Sequence, residues 1–216
     1  MAPGMQSREF VLGTNQSYDQ LMGQSRDEVD DWVTQELIDH LVRAEGVAKS
    51  FKKTGRHMPY EDITGKQTVG YGHLILPGED FSAGISDDEA KMLLRKDAID
   101  HMRSLQGSYD QKYGRGAFAK NLPLHGKHAL VDFEFNIGNA VGKFPSFTQA
   151  LTDWDVHEMR RQHVRYRSAS PGEVKKKDPR IKRMTKGPMI SMDLRNSQMW
   201  DSFIAPHMAA TVAGTQ

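Results

Sequence analysis

Glu45, Asp62, Thr68 and His73 are the residues whose types and order suit acid–base chemistry in this chain. Glu45 ends a run of apolar residues at helical spacing, immediately before Gly46, so the spacing predicts a carboxyl on or near the apolar side of a helix end. An apolar neighbourhood disfavours the charged form of a carboxylate. Asp62 falls in a turn, where a carboxylate stays solvated and ionised, and Thr68 sits on the strand leaving that turn. Two carboxylates driven apart in this way are what glycosidic bond cleavage uses: one protonates the leaving oxygen, the other handles water or the sugar cation. A glutamate closing a helix and an aspartate opening a turn also occur for structural reasons alone, and spacing leaves both readings open.

Other chemistries find less support. The sequence has no GxxxxGK[ST], no GxSxG and no HExxH. Gly70-x-Gly72-x-x-Ile75 lacks the third glycine of a dinucleotide site, and Asp153-x-Asp155 lacks the glycine and terminal glutamate of a calcium loop. His125 and His128 have no carboxylate near them in sequence, which leaves a weak case for a metal. With 0 cysteines, thiolate zinc sites, disulfides and cysteine nucleophiles are excluded. No metal or organic cofactor is expected.

The elements that must position these residues can be read along the 216 residues. Residues 1–24 lack sustained periodicity and read as an N-terminal extension; 25–205 form the expected folded domain and 206–216 a tail. Ser25 to Glu28 matches a capping box, followed by Val29, Trp32, Val33, Leu37, Ile38, Leu41 and Val42 on one helical face. Gln67 to Tyr71 reads as a short strand between turn signals, within a small antiparallel sheet over 50–75. Ser86 to Glu89 is a second capping box, opening an amphipathic helix through Leu105. Residues 107–126 read as a loop with a short helix inside. His128 to Ile137 is the most apolar helical stretch, ended by Gly138. Helices are expected over 146–151, 155–166 and 190–203, while 171–188, broken by Pro179, reads as a poor helix. The pattern is α+β: a small sheet lobe and a helical lobe.

Charge is balanced overall at +1 but unevenly placed. Val156 to Lys186 holds eleven Lys/Arg against three acidic residues, which suits a polyanionic partner or, equally, a solvated basic face. A nucleic-acid partner is not expected, because the basic run lacks interleaved aromatics. No apolar run approaches the roughly twenty residues of a membrane span, and the first thirty residues hold no secretory apolar stretch. The expectation is a monomer.

Glu45-Gly46 and residues 60–73 (YEDITGKQTVGYGH) resemble the active-site signature of phage-type lysozymes, glycoside hydrolase family 24. ISDDEAKMLLRKDA at 85–98 is similar to that family's inter-lobe helix, HALVDFEFNIG at 128–138 to its buried central helix, and Leu194-Arg195 to the arginine motif of its last helix. The resemblance implies a lysozyme-like two-lobed fold joined by a long helix, and a muramidase acting on the glycan strands of peptidoglycan. It implies Glu45 as general acid, Asp62 positioning water or stabilising positive charge, and Thr68 holding that water. It implies substrate-side roles for Tyr71, His73 and Asn136, with His73 supporting the turn and Asn136 either binding a sugar or capping its helix. Family relatives imply inversion at the anomeric carbon. One departure stands out: 16 residues separate Glu45 from Asp62, about twice the family's spacing. The expectation is an extended hairpin over 50–59 that leaves Asp62 and Thr68 in register and hangs Lys52, Lys53, Arg56 and His57 beside the site. If the sheet shifts instead, Glu61 rivals Asp62.

Overall fold

The computed structural model describes residues 28–46, 51, 54–62, 65–168, 181–184 and 187–208. The expected extension 1–24, Lys52, Lys53, most of the basic run at 175–186 and most of the tail lie outside them. The chain divides into two compact units, Met1–Asp100 and His101–Gln216, and the boundary falls within a helix.

In the first unit the acidic segment forms two helices instead of one. Helix α1 (Glu28–Trp32) stops, and the Thr34 hydroxyl then accepts the Leu37 N–H at 3.3 Å to start α2 (Gln35–Glu45). That N-cap satisfies a donor which helix continuation would otherwise have used, and it resets the helix. Leu37, Ile38 and Leu41 bury one face of α2. Gly46, at φ +69°, ends it by donating to the Val42 carbonyl. Strands β1 (Tyr60–Glu61), β2 (Gln67–Val69) and β3 (His73–Leu74) form an antiparallel sheet in that order. Its register pairs Tyr60 with Thr68 and Thr68 with Leu74. Helix α3 (Asp87–Tyr113) opens on the predicted capping box: the Ser86 N–H donates to Glu89 at 2.5 Å and the Glu89 N–H to Ser86 Oγ at 3.2 Å.

Strands of two or three residues do not hold themselves, and α3 supplies the anchor. His73, at the start of β3, places Nδ1 2.9 Å from Asp97 Oδ2 and Nε2 3.0 Å from Glu79 Oε2. Burial alone would lower the pKa of this imidazole, but the hydrogen bonds and charges of Asp97, then of Glu79, outweigh burial and raise it.

In the second unit α3 continues through Gly107 to Tyr113, where the sequence suggested a loop. Buried Leu105 and Tyr109 carry the apolar stripe past the glycine, whose cost of about 1 kcal/mol they offset. Helices α4 (Ala117–Asn121), α5 (Leu124–Ile137), α6 (Ala140–Lys143), α7 (Pro145–Asp153) and α8 (Val156–Gln162) follow. As expected from its composition, α5 is the centre, with Gly126 to Glu134 buried without interruption. Phe133 stacks on Phe147 of α7 at 4.4 Å.

Tyr166 does not extend α8. It opens β4 (Tyr166–Ser168), and β5 (Ile181–Met184) and β6 (Gly187–Ser191) complete a second antiparallel sheet in the order β4-β6-β5. A proline in a central strand argues against a strand from sequence. Here Pro188 of β6 lies opposite Arg183 of β5. Helix α9 (Asp193–Met199) runs into a π-helical turn, Trp200–Ile204. Ile190, expected in this helix, is in β6.

The second unit is tied together by a buried ionic group. The Asp132 carboxylate on α5 accepts from Arg165 Nη1 at 2.6 Å and lies 3.0 Å from Arg195 Nη2 on α9. Arg165 Nη2 donates to the Arg195 carbonyl, and Asn196 Oδ1 accepts from Arg165 Nε. All four residues are buried. A buried pair is weak evidence of net stability, yet removing one partner strands charge in a low dielectric.

Two stability outcomes follow from these anchors. Asp132→Ala should cost about 3–5 kcal/mol, read as a lower urea midpoint with an unchanged slope. His73 has a raised folded-state pKa, so its contribution is full below the unfolded value of about 6.5 and is lost as pH rises through the folded value. His73→Asn should therefore destabilise by about 3 kcal/mol near pH 6 and by clearly less at alkaline pH. An equal loss at both pH values would contradict a charged His73.

Candidate active site

Glu45 closes α2, and the turn between β2 and β3 comes up against it. A Cβ placed on Gly72 would lie 4.0 Å from Glu45 Oε2, and one on Gly70 would lie 3.2 Å from the Ala90 Cβ of α3. The turn thus passes between a carboxylate and a helix, with both glycines at positive φ, +64° and +103°. Glu45 is exposed. The expectation that the apolar helix face shields its carboxyl is corrected: Leu41 lies one turn earlier on the same face and is buried, but the last turn projects beyond that stripe.

Asp62 stands at the hairpin between β1 and β2. Its N–H donates to the Lys66 carbonyl at 2.9 Å, and its Oδ1 accepts the Lys66 N–H at 3.0 Å. One carboxylate oxygen therefore closes the turn, a structural duty the sequence reading left open. Asp62 follows directly on β1, whose Tyr60 and Glu61 pair with Thr68 and Gln67 of β2. Glu61 is exposed and points to the opposite side of β1 from Tyr60.

Thr68 is buried at 4% exposure and its hydroxyl donates to the Lys66 carbonyl at 3.2 Å. With the proton engaged, its lone pairs face any water as acceptors. Tyr60 and Leu74 flank Thr68 across the register and are 36% and 41% exposed. Burial, then the negative charges of Glu45 and Asp62, raise the pKa of the Tyr60 phenol. Tyr60 is therefore within electrostatic reach of both carboxylates, which makes it the link between them. The sequence reading passed over Tyr60 and Leu74; the signal was strand alternation, Tyr60 being two residues before Asp62 and Leu74 cross-strand from Thr68.

Two expected substrate-side residues sit elsewhere. Tyr71 is 4% exposed and its hydroxyl donates to Asp87 Oδ1 at 2.6 Å. His73 is buried between Asp97 and Glu79. Both side chains turn inward, where they support the sheet. Asn136, in the second unit, does not cap its helix: the Gly138 N–H closes α5 on the Glu134 carbonyl, and Asn139 caps α6. Its amide oxygen has no hydrogen-bond partner in the structure. Arg195 carries its guanidinium on Asp132, away from solvent.

The inserted segment does not hang free. Arg56 Nη2 donates to the Gly84 carbonyl at 2.6 Å and Nε to that of Ala83 at 3.1 Å. His57 pairs through its backbone with Ile85, and its side chain is wholly buried. Instead of forming a hairpin of its own, this part of the insertion is pinned to the segment leading into α3. Among the described residues no group of three His, Asp or Glu side chains could hold a metal ion, and no helix is long and apolar enough to cross a membrane.

No curated protein matches the chain. Among solved structures, an endolysin from Escherichia coli O157:H7 phage FAHEc1 has the same fold, with a TM-score of 0.53 at 16% identity over 81% of this chain and 94% of that one. The muramidase domain of SpmX from Asticaccaulis excentricus gives a TM-score of 0.52 at 17% identity, over 81% and 98%. At such identities the likeness concerns the fold, which is α+β and lysozyme-like. A family model described as phage lysozyme matches residues 50–181, a stretch that holds Asp62, Thr68, His73 and Asn136 and begins after Glu45. That match spans more than half of the sequence, and the chain belongs to the phage lysozyme family.

Proposed function

We propose that the chain is a muramidase that hydrolyses the β-1,4 bond between N-acetylmuramic acid and N-acetylglucosamine in peptidoglycan. The observation that carries this reading is the approach of the Gly72 turn to the Glu45 carboxylate, beside a sheet row formed by Tyr60, Thr68 and Leu74. Family membership supports peptidoglycan as the substrate.

In this reading a glycan strand lies along Tyr60 and Leu74, whose exposed apolar surface suits the faces of sugar rings. The strand itself covers Glu45 and excludes water from its carboxyl. Desolvation by substrate then favours the protonated acid at the moment it is needed. Glu45 delivers its proton to the leaving oxygen as the oxocarbenium-like transition state forms. Asp62, fixed through one oxygen by the Lys66 N–H, supplies negative charge near the sugar cation. Thr68 accepts a hydrogen bond from the attacking water, and the Asp62 carboxylate takes the proton that this water loses as its oxygen bonds to the anomeric carbon. Attack from the face opposite the leaving group gives inversion. The basic stretch around 175–186 draws the protein to the anionic wall at low ionic strength.

A wall-binding protein that does not turn over is the second reading, favoured by the exposure of Glu45. Zymography on purified peptidoglycan, with muropeptide analysis of the products, separates the two. Wild type should clear the substrate and release reducing ends at N-acetylmuramic acid, and Glu45→Gln should lose activity by about 10²-fold or more. Asp62→Asn keeps an acceptor for the Lys66 N–H, so it should fold normally and still lose about tenfold in kcat. Binding without clearing, or full activity in Glu45→Gln, would reject the muramidase.

A further inference from the structure

One buried cluster in the first unit takes no part in the chemistry just described. His57 lies in the inserted segment, 0% exposed, with Nε2 3.0 Å from Asp87 Oδ1. The same oxygen accepts the Tyr71 hydroxyl at 2.6 Å, while Lys91 Nζ lies 2.7 Å from Oδ2. The His57 ring is flanked by Phe51 at 4.4 Å and Tyr71 at 5.1 Å. Its Nδ1 has no hydrogen-bond partner in the structure. Protonating Nδ1 would bury a donor with nothing to accept it. Nε2 therefore carries the proton that is donated to Asp87. Burial alone would raise the pKa of Asp87, but the hydrogen bonds from Lys91, Tyr71 and His57 outweigh it and bring it down to about 2. Asp87 thus stays an ionised acceptor wherever the protein is folded.

The position of this cluster gives it a consequence. Tyr71 lies between Gly70, where an added Cβ would come within 3.2 Å of the Ala90 Cβ, and Gly72, where one would lie 4.0 Å from Glu45 Oε2. The flanking strands are two and three residues long, too short to fix the turn themselves. Asp87 and Ala90 lie three apart on α3, so one helix face meets the turn by packing and by hydrogen bonding. His57 reaches Asp87 because its backbone is paired with Ile85 on both sides, at 2.8 and 2.9 Å.

We infer that His57, Asp87 and Tyr71 are positioning residues for the proposed hydrolysis: joined through one carboxylate oxygen, they hold the Gly70–Gly72 turn at its working distance from Glu45. The effect on turnover rests on the muramidase reading; the effect on the turn does not. The insertion that separates Glu45 from Asp62 then has a purpose, since it supplies the buried donor that completes the set.

Steady-state kinetics on soluble peptidoglycan fragments, well below every variant's melting temperature, test the inference. Tyr71→Phe removes one hydroxyl and keeps the buried ring. His57→Leu keeps bulk without a donor, and His57→Gln keeps a donor near the Nε2 position. Tyr71→Phe and His57→Leu should lower kcat about tenfold with KM within about twofold. His57→Gln should recover most of that loss. Unchanged kcat in Tyr71→Phe, or equal losses in the Leu and Gln variants, would overturn the inference. If His57→Leu fails to fold, Tyr71→Phe decides alone. Crystal structures of wild type and Tyr71→Phe read the turn without activity, a displacement of Gly72 from Glu45 by about 1 Å being expected and an unmoved turn overturning the inference. A wild type that releases no fragments would reject the muramidase, with the crystal structures still deciding the role of the cluster.

Discussion

The first unit depends on a turn with helices on two sides of it. Gly70 leaves no room for a Cβ beside Ala90, Gly72 faces the Glu45 carboxylate across the width of a side chain, and both glycines hold positive φ. A side chain at either place would face strain, and at Gly70 a crowded Cβ as well. A three-stranded sheet of two- and three-residue strands has little stability of its own, so the contacts that place this turn also place the sheet. They come mainly from one face of α3, on which Asp87, Ala90, Leu94 and Asp97 recur at offsets of three, four and three. Two of the four are apolar and buried; the other two are carboxylates that hold Tyr71, His57 and His73.

This arrangement explains why apolar packing and ionic anchoring alternate along that face. A sheet seated on alanine and leucine alone could slide along the helix, because dispersion contacts carry little direction. A carboxylate at each end accepts from a fixed donor and sets register as well as attraction. The second unit uses a related device. Asp132 sits within the buried run of α5 and accepts from Arg165, ahead of β4, and from Arg195 on α9. In both units an aspartate on an otherwise apolar helix face is the sign of a distant partner.

Much of the scaffold was legible from local pattern. The second capping box gave the start of α3 and the unbroken apolar run gave α5, while the strand expected over 67–71 ends at Val69, where the turn begins. The Asp62, Thr68 and His73 spacing was read through resemblance, and in the structure Thr68 and His73 fall on β2 and β3. What failed was non-local. Val29 to Val42 reads as one helix until the Thr34 cap is known, and Gly107 reads as a stop until its buried neighbours are known. The second sheet escaped because its strands are short and one of them carries Pro188. Glu45 shows a subtler failure: the helical face was right, but how far the packed stripe reaches along it depends on what covers the helix end.

The insertion is the sharpest case, because charge suggested the wrong environment. Arg56 and His57 lie in a basic segment that composition assigns to solvent, yet Arg56 serves the carbonyls of Ala83 and Gly84 and His57 is buried on Asp87. These partners are 27, 28 and 30 residues away, and no pattern within the segment names them. The sign that was available lay on the other partner: Asp87 begins a helix whose cap was already satisfied by Ser86 and Glu89. An aspartate there is not needed for capping, so its place on the sheet-facing side had to be explained by something it receives. Residues that act at a site can be read from their spacing; residues that hold the site in place become visible only when each buried acceptor is asked for its donor.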